Sequence, residues 1–229
     1  MNRLFYWIKN TLESALSLIF PISKVESKLK SIKAEELKSR FPNEWLSSDK
    51  KTIAIFPYKN PFIRQSVWLL KYRKNEDALN IFAQILGESI IATCEEILPF
   101  CSHPRIILIP IPTTKKRSLE RGHNHTLILA YKTVEIYGRD FFEIAPDVLI
   151  FAKETKRQTS CKNKKEREEN MKNAFAISKN KPNPNFSGRM VVLIDDVTTT
   201  GATFRDARRA INSLGAIKPK QIYFFALAH

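Results

Sequence analysis

Residues 191–203 read VVLIDDVTTTGAT. Four consecutive apolar residues, Val191 to Ile194, form the pattern of a short strand covered on both faces. Two carboxylates, Asp195 and Asp196, close it. Thr198, Thr199, Thr200, Gly201, Ala202 and Thr203 then lead into a helical pattern over residues 204–214. In an open parallel sheet, ligands gather at the C-terminal ends of strands. A loop entering a helix there turns backbone N–H groups toward a phosphate, aided by the helix dipole. Gly201 lets the backbone come close and take a positive φ, and the threonine hydroxyls add donors. Carboxylates are poor partners for phosphate but good acceptors for sugar hydroxyls. Acid pair and loop together therefore fit a phosphorylated ribose better than a nucleoside triphosphate, and the GxxxxGK[ST] pattern of a P-loop is absent. The bland reading is a solvent-facing or capping aspartate followed by an ordinary turn.

Outward from this stretch, short apolar runs alternate with helical periodicity. Residues 221–227 read as a last strand, and residues 181–188, with Pro182, Pro184 and Gly188, as a loop. Residues 174–177, 148–151, 106–109 and 52–56 are strand-like. Helices are expected over residues 62–73, with Pro61 at the first helical position, and over 77–98 and 127–137. The pattern predicts an α/β fold, a mostly parallel sheet flanked by helices. Residues 153–171 are the most hydrophilic segment and read as a solvated or mobile charge run. Residues 23–40 carry Val25, Leu29, Ile32 and Leu37 as a weak amphipathic helix. Leu4, Ile8, Leu12, Ala15 and Ile19 mark another. The expected organisation is a helical N-terminal extension over residues 1–50 and one α/β domain over 51–229.

The chain has 229 residues and a net charge of +15. Such a balance fits either a lysine-rich surface or an anionic partner, a polyphosphate or nucleic acid. Cys94, Cys101 and Cys161 form no CxxC pair, so neither a disulfide framework nor a cysteine zinc site is expected, and a reducing cytoplasm is the default compartment. Lys9 and Glu13 interrupt the apolar N-terminus, so no membrane span is expected there.

Residues 191–203 match the thirteen-residue phosphoribosyl-diphosphate (PRPP) motif of type I phosphoribosyltransferases, and the chain more narrowly resembles the ComF family of competence-associated proteins. Pro110-Ile111-Pro112, Lys116-Arg117 and Arg121-Gly122-His123-Asn124 resemble that family's PxP…R…RG(F)NQ segment, with His123 and His125 in place of its aromatic and glutamine. Thr155, Gln158, Arg167, Asn170 and Ala174-Phe175 resemble its T..Q…R..N…AF segment, residues 68–72 its LKY helix, and residues 16–21 its LLFP opening. The resemblance implies a type I phosphoribosyltransferase fold. It implies that Asp195 and Asp196 bind the ribose hydroxyls and that Thr198, Thr199, Thr200, Gly201, Ala202 and Thr203 bind the 5′-phosphate. Thr113, Thr114, Lys115, Arg117 and Arg121 would grip pyrophosphate. Lys156, Gln158, Arg167 and Asn170 would belong to a hood over the site. Mg²⁺ would enter with PRPP, not on protein ligands. The paired CxxC ribbon of many members is missing, so no zinc is expected.

Two functions stand at this level. One is transfer of a 5-phosphoribosyl group to an unassigned acceptor. The other is a PRPP-sensing, single-stranded-DNA-binding role in DNA uptake. Trp68, Tyr72 and Phe186 are aromatics that could stack on bases, although core or loop packing is the simpler reading. His123 and His125 read as packing or capping residues beside the diphosphate loop. A homodimer built through the N-terminal helices is the assembly considered.

Overall fold

The computed structural model describes residues 24–42, 45–47, 51–97, 106–114, 123–153, 163–179, 184–186, 189–214 and 221–229. The elements in order are α1 (Lys24–Ser31), α2 (Ala34–Arg40), β1 (Trp45–Leu46), β2 (Thr52–Phe56), α3 (Pro61–Arg73), α4 (Glu76–Ile97), β3 (Ile106–Pro110), α5 (His125–Tyr137), β4 (Phe142–Ile144), β5 (Leu149–Phe151), α6 (Lys164–Met171), β6 (Phe175–Ile177), β7 (Met190–Val197), α7 (Ala202–Asn212) and β8 (Gln221–Ala228). The helical pattern read over residues 1–22 lies outside the described residues.

The main sheet runs β1-β2-β8-β7-β3-β4. Its five strands from β2 to β4 are all parallel, and β1 adds an antiparallel edge. This is the α/β, type I phosphoribosyltransferase-like architecture. Strand alternation divides the core in two. Leu108, Val192, Ile194 and Phe225 face the side of α3, α4 and α5. Ile107, Ile109, Val191, Leu193 and Phe224 face α7 and the β5–β6 hairpin. Each central strand is buried on both faces, which is why the apolar runs are continuous rather than alternating.

Chain direction sets where a ligand can lie. From β3 the chain crosses through α5 to β4, toward one edge. From β7 it crosses through α7 to β8, toward the other. Neighbouring strands β3 and β7 thus feed crossovers that diverge, and a crevice opens beyond their C-terminal ends. Pro110 and Ile194 are paired at that end.

Strands β1 and β4 were not expected from the sequence, and three further elements differ from it. Residues 24–40 form two helices, broken at Lys33, which is extended (φ −87°, ψ 158°). The break lets Leu29, Ile32, Ala34 and Leu37 all reach the core; one continuous helix would scatter them. The hydrophilic segment contains α6, capped by the Asn163 side chain, which accepts from the Glu166 N–H at 2.9 Å. The strand of residues 191–194 extends through both aspartates, because Asp195 and Val197 stay in register with Ala226 and Ala228 of β8. Cys94 is a core residue, as its apolar helical face implied. Among the described residues, no helix is long and apolar enough to cross a membrane.

Candidate functional site

Alternation along β7 sends the two carboxylates toward different sides. Asp195 continues the Val191–Leu193 face and Asp196 the Val192–Ile194 face, beneath α3 and α5. One Asp195 oxygen accepts the Asp196 backbone N–H at 2.8 Å, which fixes the carboxylate against the strand end.

Asp196 is buried and held by two helices. Lys71 Nζ of α3 lies 2.8 Å from its Oδ1, and His125 Nε2, in the first turn of α5, donates to its Oδ2. Burial alone would raise the Asp196 carboxyl. The charges of Lys71 and His125 and their hydrogen bonds overcome it, holding the group well below the usual carboxylate range. Burial alone would lower Lys71, but the Asp196 charge and hydrogen bond, with Asp195 behind, hold it above its ordinary value. The sequence reading missed Lys71 as a site residue. Its signal lay in the LKY segment, whose lysine follows two core leucines, Leu69 and Leu70. His123 packs instead, its Nε2 donating to the Leu70 carbonyl at 3.3 Å.

The start of the loop after β7 is tied to the end of β8. The Thr198 N–H donates to the Ala228 carbonyl at 2.9 Å, and His229 Nε2 lies 3.0 Å from the Thr199 carbonyl. Gly201 takes φ +67°, the left-handed region a glycine tolerates without strain, and is the residue from which α7 starts. The Ala202 N–H reaches Thr200 Oγ1 at 3.4 Å. The expected phosphate loop therefore ends on a helix N-terminus, beside the carboxylates.

Across the crevice, Thr113 and Thr114 follow β3. Thr113 Oγ1 donates to Asn124 Oδ1 at 3.3 Å, and Thr126 Oγ1 donates to the Ile111 carbonyl at 2.9 Å. Asn124 also caps α5 by accepting the Leu127 N–H at 3.3 Å. These bonds pin both stems of the 115–122 connection at the crevice mouth. Lys115, Arg117 and Arg121 themselves, like Lys156 and Gln158, lie outside the described residues. Arg167 and Asn170 belong to α6, and nothing is described of the Arg167 side chain.

The hairpin next to α6 is bolted to α7 by Asp206. Its carboxylate accepts the Asn173 N–H at 2.9 Å, the Phe175 N–H at 2.8 Å and Arg209 Nε at 2.8 Å. Burial alone would raise this carboxyl, and the Arg209 hydrogen bond together with the two backbone donors lowers it. Asp206→Ala orphans those donors. It is expected to cost about 2–4 kcal/mol, read as a lowered urea midpoint, with the loss concentrated in amide protection of residues 173–177.

The curated protein Competence protein F of Haemophilus influenzae (strain ATCC 51907 / DSM 11121 / KW20 / Rd) is 31% identical to this chain over 125 residues. Over that stretch the chain is similar to this competence protein. The match covers 53% of the chain and 50% of that relative, so the shared part spans half the relative's length. No protein-family model matches the chain. This similarity and the parallel sheet agree on one α/β, phosphoribosyltransferase-like architecture.

Proposed function

We propose that the chain binds PRPP in the β3–β7 crevice and transfers its 5-phosphoribosyl group to an acceptor, with release of pyrophosphate. One observation carries the reading. Where strand order reverses, β7 ends in two adjacent carboxylates, one on each face of the strand, and a Gly201 turn that opens a helix follows directly. The 5′-phosphate would lie on Thr198, Thr199, Thr200, Gly201, Ala202 and Thr203. The ribose hydroxyls would meet Asp195 and Asp196, the latter kept ionised, and so an acceptor, by Lys71. Thr113 and Thr114, with Lys115, Arg117 and Arg121, would receive the diphosphate. Lys156, Gln158, Arg167 and Asn170 would close over it and exclude water.

Pyrophosphate departure leaves oxocarbenium character on the sugar and charge on the leaving group. Cations fixed before the reaction stabilise that charge without reorganisation. Mg²⁺ would enter on the diphosphate, held by substrate oxygens and water. Such an ion would neutralise leaving-group charge. The test is PRPP-dependent pyrophosphate release with Mg²⁺, screened across nucleobases, amines and single-stranded DNA. Release with one acceptor class supports transfer. Binding without release from any class leaves PRPP sensing as the function.

A second reading has its own observation. Trp68 and Tyr72, expected to pack, are 46% and 45% exposed on α3, with ring centroids 5.5 Å apart. Phe186 is fully buried. From Lys51 to Asn75 the chain has no acidic residue and, besides Lys71, which is taken up by Asp196, five basic ones: Lys51, Lys59, Arg64, Arg73 and Lys74. Exposed rings among cations suit stacked bases and a phosphate backbone. The relative's name is a competence protein, and this face gives single-stranded DNA a place to bind in DNA uptake. Fluorescence anisotropy should show oligonucleotide affinity that falls steeply with salt. A Trp68→Ala/Tyr72→Ala variant should bind roughly tenfold more weakly or worse. Salt-insensitive binding, or an unaffected double variant, would remove this reading.

A further inference from the structure

The first turn of α7 carries a guanidinium to which the PRPP reading assigns no task. The Arg205 N–H donates to the Gly201 carbonyl at 2.9 Å, and the side chain runs back toward the helix start, as helical Cα–Cβ bonds direct it. There Nη1 donates to the Thr200 carbonyl at 2.7 Å, and Nη2 donates to Glu168 Oε1 of α6 at 2.8 Å. A Cβ added to Gly201 would sit 3.5 Å from Nη1, so the guanidinium lies against the backbone of the turn itself. The Arg205 and Glu168 side chains are 56% and 41% exposed.

We propose that Arg205 is a phosphate-binding residue parked on Glu168, and that a 5′-phosphate arriving at the Thr200–Gly201 turn takes the guanidinium from Glu168 and releases α6. This rests on the PRPP reading and deepens it. Relative strengths decide the exchange. An exposed ion pair favours its closed form by no more than about fivefold. A charge-assisted hydrogen bond from Arg to a phosphate is worth roughly ten- to a hundredfold, and its fork geometry suits two oxygens. The next residue, Asp206, keeps its hold on Asn173 and Phe175 throughout. The C-terminal end of α6 thus stays fixed on α7 while the Glu168 contact opens. A bound phosphate and Glu168 then compete for the Nη2 side of one guanidinium, whose Nη1 already rests on the Thr200 carbonyl.

The experiment titrates ribose 5-phosphate, and separately PRPP with Mg²⁺, into the wild-type chain, Arg205→Gln, Arg205→Lys and Glu168→Gln, each checked for an unchanged thermal midpoint. Arg205→Gln should lose about tenfold or more in affinity for both ligands, with Arg205→Lys recovering part of it. Glu168→Gln should bind several-fold more tightly, because the competing carboxylate is gone. Ligand should raise hydrogen exchange in α6 of the wild type and leave it unchanged in Glu168→Gln. A purely structural ion pair would move both variants in the same direction, and that result overturns the proposal. Wild-type binding with an unaffected Arg205→Gln overturns it while leaving the PRPP reading intact. Failure of the wild type to bind either ligand removes both.

Discussion

Lys71→Met is expected to cost the fold about 3–5 kcal/mol, because it leaves the Asp196 carboxylate buried without its strongest counter-charge. The ion pair is 2.8 Å long, and the two side chains are 15% and 10% exposed. Water can therefore do little to replace the lost ammonium. Pairing Lys71→Met with Asp196→Leu removes the uncompensated charge and should recover most of the loss, whereas independent surface contacts would give two losses that add. Urea denaturation of the wild type, both single variants and the double variant measures the coupling.

The same cluster sets a pH dependence. The Asp196 carboxyl is lowered in the fold, so the stability it contributes is complete above about pH 4 and is lost as pH falls further. Lys71 is raised, so its contribution is complete below about pH 10 and is lost as pH climbs above that. The wild type should lose unfolding free energy at both ends. The Lys71→Met/Asp196→Leu chain should show shallower slopes at both.

Gly201→Val should abolish sugar-phosphate binding, with a loss of about a hundredfold or more, while lowering stability by roughly 1–3 kcal/mol. The residue sits at φ +67°, where a β-branched side chain is strained. Its Cβ would lie at 3.5 Å from Arg205 Nη1, an ordinary contact, so the cost lies in the backbone. The turn would relieve this by moving φ negative, and the N–H groups at the start of α7 would no longer converge. Calorimetry and a thermal melt on one variant separate the two losses. Because α7 is held elsewhere by Phe204, Ala207, Ala210 and Ile211 in the core, the chain should still fold.

Much of this arrangement was legible in the residues. The continuous apolar runs of β3 and β7 announced strands buried on both faces. Gly201 among threonines announced a turn into a helix. Pro61 marked the first residue of α3, and the Asn60 side chain completes that cap by accepting the Phe62 N–H at 2.9 Å. What stayed hidden depended on tertiary neighbours. Asp195 and Asp196 looked like the end of a strand because carboxylates rarely continue one; Lys71 and His125, far away in sequence, make Asp196 tolerable inside it.

Trp68 and Tyr72 were hidden for a related reason. In the run from Val67 to Leu70, four apolar residues in a row cannot say which face is buried. The core takes Ile63, Val67 and Leu70, which leaves Trp68 and Tyr72 outside. Among its described side chains, helix α6 buries little beyond Met171, so it shows no apolar stripe and read as a charge run. Strand β4 is three residues long, paired to β3, and too short to register as a period.

Calorimetric titration of PRPP with Mg²⁺ into the wild-type chain and into Asp195→Asn tests the central claim most directly. Saturable, single-site binding by the wild type is expected, with a loss of at least about tenfold in Asp195→Asn at unchanged thermal midpoint. Equal affinity in the two proteins, or no heat of binding in either, would contradict it.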